Sequence, residues 1–432
     1  MSKLRLFTAL LLGVAVGLWS SATAEPAIAE IEVWWHTGKP EELAVMTAQV
    51  EEFNQMYEGQ IRARLVSIPE ADYTDEVRAA ALADALPDVL DLDGPTLASF
   101  VWAGQIRALD DLVPDGLRND LLPSIIDQGT YPPDGQLYAI GVFDSGLALW
   151  GNREYLEQVG VRIPDGVEDA WTLDEFNRAL DKLAALDEVA WPLDLKLNYG
   201  VGEWFTYGFS PLVQSFGGDL IDRTTWRAQG TLDGIESILA LTLFQHWVDQ
   251  GWVVPAARDD DAFYGPNREA ALAWVGHWMW EPHSEGLGDD WVLIPTPRFG
   301  SRHVTGMGSW AWSVTERSDH PEEAWAFIEF LLQPEEIVRM TDANGAVPSR
   351  FSAIEISELY GPGGPLELFA QQLEVIGLER PVHPVYPVIT SAFAEAVDNI
   401  IHGADVRSEL ERTARRVDED IEDHGGYPPF GD

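Results

Sequence analysis

The 432-residue sequence contains no cysteine. That excludes a disulfide framework, a thiolate nucleophile, a cysteine-ligated metal and a lipid anchor carried on cysteine. Lysine is almost as scarce, with only Lys3, Lys39, Lys182 and Lys196. No basic patch exists to meet phosphates, so nucleic acid is excluded as a partner. Beyond the N-terminus, no stretch reaches the roughly 18 consecutive apolar residues that a membrane-spanning helix needs. Catalytic signatures are missing too. There is no H-E-x-x-H, and His277 and His283 stand six apart, a spacing that suits no ordinary metal pair. There is no G-x-S-x-G elbow and no phosphate loop, and Gly306-Met307-Gly308 lacks the third glycine of a dinucleotide turn. Carboxylates are so abundant that a pair at glycosidase spacing arises by chance, so acidic pairs carry no information. Nothing in the residues argues for a metal, a cofactor or an enzyme, and a non-enzymatic protein is the expectation.

What is present in excess is acid. Asp and Glu number 72 against 27 Lys and Arg, a net charge of −45. Lys3 and Arg5 precede an apolar run from Leu6 to Trp19, and Ala22-Thr23-Ala24 offers a small-residue cleavage site. This pattern predicts a secretory signal peptide over residues 1–24. Cleavage would leave 25 basic against 72 acidic residues, a net charge of −47. Export without an anchor fits the periplasm best, with free secretion the lesser alternative. Self-repulsion at such a charge destabilises a compact state at low ionic strength. The acids are spread along the whole chain, so a solvated surface in a saline habitat explains them better than capture of a polycation.

The length predicts two domains. "IEVWWH" (Ile31–His36) reads as a strand, Glu41–Tyr57 as a helix and "IRARLVSI" (Ile61–Ile68) as a strand. Asp72–Ala85 reads as a helix leading into "PDVLDLDG". Strands and helices alternating at this spacing mean βαβ units and a parallel sheet. Ligands of open α/β sheets bind beyond the carboxyl ends of the strands, which nominates His36-Thr37 and Asp93-Gly94. Thr172 with Glu175 forms a capping-box signature. Asp319-His320-Pro321-Glu322 is expected to open a capped helix with Pro321 at its first position, and Ser391–Asp423 to form one long helical region.

"AWVGHWMW" (Ala273–Trp280) packs three tryptophans into eight residues. Trp274 and Trp278 would share a face on a helix, and all three would share one in a strand. Core packing is the plain explanation. Flat aromatic faces in a cleft also stack on the C–H faces of sugar rings, with short polar side chains binding the hydroxyls.

Taken in order, the segments resemble a known family, the extracellular solute-binding proteins of sugar ABC importers, the group that includes the maltose/maltodextrin-binding protein. The resemblance rests on "PDVLDLDG" with "AGQIRALDDLV", "GQLYAIGVFDSGLALWGNREYLEQVGV", "AWTLDEFNRALDKL", "FGGDLID", "REAALAWVGHWMW", "GMGSWAWSV" with "SDHPEEAWAFIEFLL", and "GAVPSR". It runs from about Ile31 to the C-terminal helix. Trp150 stands where the family usually has tyrosine, Leu173 where tryptophan is common, Arg268 where glycine is usual and Ala273 where methionine is.

The resemblance implies an α/β fold of the two-lobed periplasmic binding-protein kind (type II-like), each lobe a mainly parallel sheet flanked by helices. Hinge crossings would lie near Phe143, Thr305 and Gly345. The lobes would comprise residues 25–143 with 306–344, and 144–305 with 345–432. It also implies a monomer that takes a carbohydrate ligand and docks on ABC permease subunits. Trp278 occupies the position that commonly stacks on sugar, with Trp274 expected in the core. His36, Thr37, Asp93, Asp144, Trp204, Tyr207 and Trp310 are the other expected contacts, with Tyr386 a weaker addition. An anionic ligand such as a glycerol phosphate would need arginines in the cleft, for which Arg350, Arg298 and Arg302 are the nearby candidates. A periplasmic carbohydrate-active enzyme and an adhesion or scaffold protein are the rivals from other classes.

The charge makes one prediction directly. Raising the salt from about 0.1 M to 1 M shrinks the screening length from about 10 Å to about 3 Å, so the thermal unfolding midpoint should rise. A midpoint that stays flat or falls in a salt series followed by circular dichroism would refute this reading of the surface.

Overall fold

Ala29, Ile31, Val33 and Trp35 alternate into the protein, and that two-residue period makes the first strand, β1 (Ala29–Thr37). The computed structural model describes residues 28–430, so the expected signal peptide lies outside it. After β1 the chain runs through α1 (Pro40–Met56), β2 (Ile61–Pro69), α2 (Glu70–Leu82) and β3 (Val89–Asp93). β1 pairs in parallel with both β2 and β3, as the βαβ spacing predicts. A strand from much later in the chain, Trp310–Val314, closes this first sheet against β3, antiparallel, with Trp310 opposite Asp93. Phe53 of α1 packs edge-on against Phe327, and Met46, Trp312, Ile328 and Leu331 complete the core on this face.

The second sheet holds β4 (Leu147–Asn152), β5 (Trp191–Asp194), β6 (Ala270–Gly276) and β7 (Trp291–Ile294), in the order β7-β4-β6-β5. Here the expected mainly parallel sheet is not found. Only β5 and β6 run parallel, while β4 is antiparallel to both its neighbours. The cause is the entry of the chain. β4 starts beside the crossing at Phe143–Asp144 and runs away from it, whereas β6 runs back so that Gly276 pairs with Leu147. The C-terminal end of β6 therefore returns to the junction between the lobes.

Helices α3 (Leu173–Leu183), α4 (Glu203–Phe216) and α5 (Ile235–Asp249) cover this sheet with Phe176, Leu180, Phe209, Phe244 and Trp247. Thr172 begins α3 as expected: its hydroxyl accepts from the Glu175 amide at 3.3 Å, and the Glu175 carboxylate accepts from the Thr172 amide at 3.0 Å. Pro321 does open its helix, but the cap position falls on His320, which makes no capping bond. The C-terminal region is two helices, α6 (Tyr386–Ile401) and α7 (Val406–Asp423). Gly403, with a left-handed φ of 88°, breaks them, and Asp405 caps the second by accepting from the Ser408 amide at 2.9 Å.

Short strand pairs lie between the two sheets. Phe143–Asp144 pairs with Val347–Pro348, and Thr305–Met307 pairs with Gly377–Glu379. The last strand of the first sheet, Trp310–Val314 (β8), follows that second pair directly.

Candidate functional site

The carboxyl ends of β1 and β3 and the start of β8 face the end of β6 and the start of α4 across the lobe junction. Trp274 lies inside β6, 4% exposed, with its indole N–H donated to the Gly208 carbonyl at 3.0 Å. It is a core residue, as expected. Two residues past the strand end, Trp278 is only half-buried. Gly276 explains its posture: a Cβ there would lie 2.1 Å from the Trp278 ring. The indole rests on bare backbone, so glycine is needed for space and not for an unusual φ. Trp280 packs edge-on against Trp291.

Trp278 meets Trp204 at 5.9 Å and Tyr207 at 6.2 Å between ring centroids, so three expected residues form one aromatic wall. Trp204 is fixed by donating to the Leu195 carbonyl at 3.1 Å. The Tyr207 hydroxyl is buried and has no hydrogen-bond partner among the described residues. From the opposite lobe, Lys39 donates its ammonium to the Trp278 carbonyl.

The first lobe contributes a second group. Trp310 lies flat on His36, with centroids 3.7 Å apart and planes 12° apart. His36 is buried and paired with the Asp91 carboxylate. Burial opposes its charge, but Asp91 outweighs that and raises its pKa. His36 therefore seats the Trp310 indole and is itself taken up by Asp91. Thr37 is likewise engaged, by the Ser67 hydroxyl. A cavity of about 320 Å³ opens beside Asp93 and Trp310, walled by Tyr73, Val77, Phe100 and Pro387.

The residue that joins these groups was not anticipated. Arg380, 6% exposed, donates to both oxygens of Asp93 at 3.0 and 3.3 Å and to Glu203 at 2.6 Å. Asp93 ends β3 in one lobe and Glu203 opens α4 in the other, so a single guanidinium spans the junction. It also lies over the Tyr207 ring, 4.9 Å from its centroid. Burial disfavours its charge, but Asp93, Tyr386 and Glu203 outweigh this and hold it protonated. Burial, with Glu203 nearby, pushes the Asp93 carboxyl up to about 6 against the pull of Arg380. A Cβ at Gly308 would come within 2.7 Å of this guanidinium, and its φ of 135° also favours glycine. Tyr386 is buried and donates its hydroxyl to Glu203.

Asp144 is fully buried and accepts twice from Gln128 at 3.1 Å and from the Ser145 amide at 2.8 Å. Its carboxylate is satisfied within the protein. The three arginines expected near the cleft lie elsewhere: Arg350 binds Asp120 at 2.8 Å, and Arg298 and Arg302 are exposed on the second lobe. No pattern in "LERPVHPVY" marks Arg380, because its partners stand 287 and 177 residues away in sequence. His277, next to Trp278, is held by Ser145 at 2.9 Å and the Asn344 carbonyl at 3.0 Å, and burial lowers its pKa to about 3. Among the described residues, no group of three or more His, Asp or Glu side chains is placed to hold a metal. No helix among them is long and apolar enough to cross a membrane.

The family model described as "Bacterial extracellular solute-binding protein" matches residues 37–337. A protein of Streptomyces antibioticus named as an uncharacterized lipoprotein is 26% identical over 288 residues, 63% of this chain. The chain spans about 60% of the length of that curated relative. Among solved structures, the GacH receptor of Streptomyces glaucescens, determined unliganded and with acarbose, is 21% identical with a TM-score of 0.75. The match covers 92% of this chain and 98% of that one. Maltose-bound MalE3 of T. maritima is 20% identical with a TM-score of 0.76, over 90% and 99% of the two chains. At these identities the likeness establishes the two-lobed fold.

The glycine under Trp278 yields a sharp prediction. Gly276→Ala should displace the indole and weaken binding of the ligand by about tenfold or more, with the fold intact. Tryptophan fluorescence and far-UV circular dichroism, read beside binding, check it. Full affinity in the variant would mean that Trp278 does not act through this seat.

Proposed function

We propose, because the chain belongs to the bacterial extracellular solute-binding proteins, that it captures a neutral sugar or oligosaccharide between its lobes and delivers it to an ABC importer. The single observation that carries this reading is the juxtaposition of the Trp278–Trp204–Tyr207 wall with the Asp93–Arg380–Glu203 group. Aromatic faces suit the C–H faces of a sugar, and paired ionic groups suit its hydroxyls. The free Tyr207 hydroxyl is an additional donor or acceptor at the floor.

Closure then follows from shared contacts. Trp310 and Asp93 approach the ligand from one lobe, Trp278, Trp204 and Tyr207 from the other, so only the closed form engages all of them. A ligand selects that form by its differential affinity for it. The lobes in this reading comprise residues 25–143 with 306–344, and 144–305 with 345–432. His36, Thr37 and Asp144 act behind the contact surface, holding Trp310, the β1 end and the floor. The protein would be a periplasmic monomer exported by residues 1–24, with no cysteine to carry a lipid.

Charge argues against the anionic alternative. Arg380 already faces two carboxylates, and Lys39 is bound to a carbonyl. A phosphorylated or acidic ligand would meet net negative charge.

Thermal unfolding in high salt against mono-, di- and trisaccharides, polyols and glycerol phosphates tests the proposal. A ligand present at about 100 times its Kd stabilises by about 2.7 kcal/mol, and one sugar class should do so without being turned over. Trp278→Ala should abolish that shift. Stabilisation only by an anionic solute, or release of products, would overturn the reading. Affinity should also fall by about tenfold as the pH drops through 6, because Asp93 loses its charge and with it a charge-assisted acceptor. Asp93→Asn should bind weakly at both pH values and show no such dependence in calorimetric titrations.

A further inference from the structure

β6 ends at Gly276, and one short turn, His277–Met279, carries the chain onward from the lobe junction. Its first residue is a histidine set among Phe143, Phe369 and Trp278, whose ring centroids lie 6.4, 6.3 and 5.3 Å from the imidazole. Only 3% of it is exposed. A phenylalanine would fill such a place at less cost, since a buried polar ring must find partners for both nitrogens. His277 finds them in two separate parts of the chain. Nδ1 lies 3.0 Å from the Asn344 carbonyl, and Nε2 lies 2.9 Å from the Ser145 hydroxyl. A carbonyl only accepts, so Nδ1 carries the hydrogen. Burial lowers the pKa to about 3, so the ring is neutral and Nε2 accepts from Ser145.

Ser145 directly follows the short strand Phe143–Asp144, and Asn344 stands just before its partner strand, Val347–Pro348. Ser309 joins from between Thr305–Met307 and β8, its hydroxyl 3.2 Å from the Ser145 oxygen. The neighbouring Gly308 amide donates to the Ser145 carbonyl at 3.2 Å. One imidazole thus gathers the three crossings expected near Phe143, Thr305 and Gly345. The backbone of His277 is gripped as well. A Cβ on Gly345 would lie 2.6 Å from the His277 carbonyl, and the left-handed φ of 72° there also calls for glycine. Resting on the closure reading above, we propose that His277 is a positioning residue that couples Trp278 to the crossings, so that the stacking ring is set in place by the angle between the lobes.

The coupling follows from adjacency. His277 and Trp278 are consecutive, so a backbone shift of one moves the other. When the crossings turn, the imidazole follows Ser145 and Asn344 and takes Trp278 with it, or a bond opens and leaves a buried polar atom without a partner, which is costly. From the first lobe, Lys39 holds the Trp278 carbonyl at the same time.

Calorimetry, tryptophan fluorescence and small-angle X-ray scattering test this, using whichever sugar of the panel above most stabilises the wild type. In the wild type that sugar should change the fluorescence and reduce the radius of gyration together. His277→Phe fills the same space without either bond. It should bind about tenfold more weakly, and at saturating sugar its fluorescence should still change while its radius falls far less. His277→Gln, which offers one donor and one acceptor, should recover part of both. Ser145→Ala should weaken binding and closure, and adding it to His277→Phe should cost no further affinity, because Ser145 acts through the imidazole. Should His277→Phe fail to fold, Ser145→Ala alone must show the weakened closure. Wild-type closure in either single variant, or losses that add in the double one, overturns the inference while leaving sugar binding standing. Failure of every sugar to bind the wild type overturns the reading beneath it.

Discussion

Arg380 carries a positive charge to a place almost sealed from water, and a charge so placed must be matched by opposite charge. The match comes from Asp93 at the end of a strand in one lobe and Glu203 at the start of a helix in the other. Much of the cleft follows from this arrangement. Gly308 is bare because the guanidinium fills the space of its Cβ. Tyr207 lies under the guanidinium, and Tyr386 binds the same Glu203. The carboxylate of Asp93 sits at an elevated pKa because burial and Glu203 together outweigh the arginine. Two lobes that share one cation cannot separate without exposing all three charges to solvent or leaving one unmatched.

The acidic excess of the chain makes this economy more telling. Positive groups are few, and three of them are spent at or near the cleft. Lys39 reaches across to the Trp278 carbonyl, Lys196 is buried between Asp194 and Asp260, and Arg380 joins the lobes. Elsewhere exposed arginines pair with carboxylates, as Arg162 does with Glu175 and Arg416 with Glu395, and such pairs weaken with salt. Buried pairs are screened much less than exposed ones, so the cleft keeps its electrostatics as the salt concentration rises.

Much of the architecture was legible in the chain. β1 and β2 follow from their alternation, and the parallel order of the first sheet follows from the helices between the strands. The resemblance singled out Trp278 with Gly276 two residues before it, and the structure supplies the reason for that glycine: the indole lies on its backbone. Trp274 and Trp278 share a face in either a helix or a strand, so period alone did not separate them; the resemblance did, and the structure places one inside β6 and the other beyond its end. The antiparallel course of β4 was hidden, since it depends on where the chain crosses between lobes. The break near Gly403 was hidden too, although Gly403 takes a left-handed φ of 88° and Asp405 caps the helix that follows.

By itself the sequence determined the opening βαβ order, the lack of cysteine chemistry, the acidic excess and the aromatic residues available for stacking. These are properties of composition and of periods of two to four residues, and local geometry reads them directly. Only the tertiary structure decided which charges meet. His36 became a seat for Trp310 because Asp91, 55 residues away, takes its nitrogen, and Arg380 became the junction because residues 287 and 177 positions away converge on it. Pairings at such separations leave no trace in local pattern. They are set by how two sheets pack, and one chain written in a line does not show that.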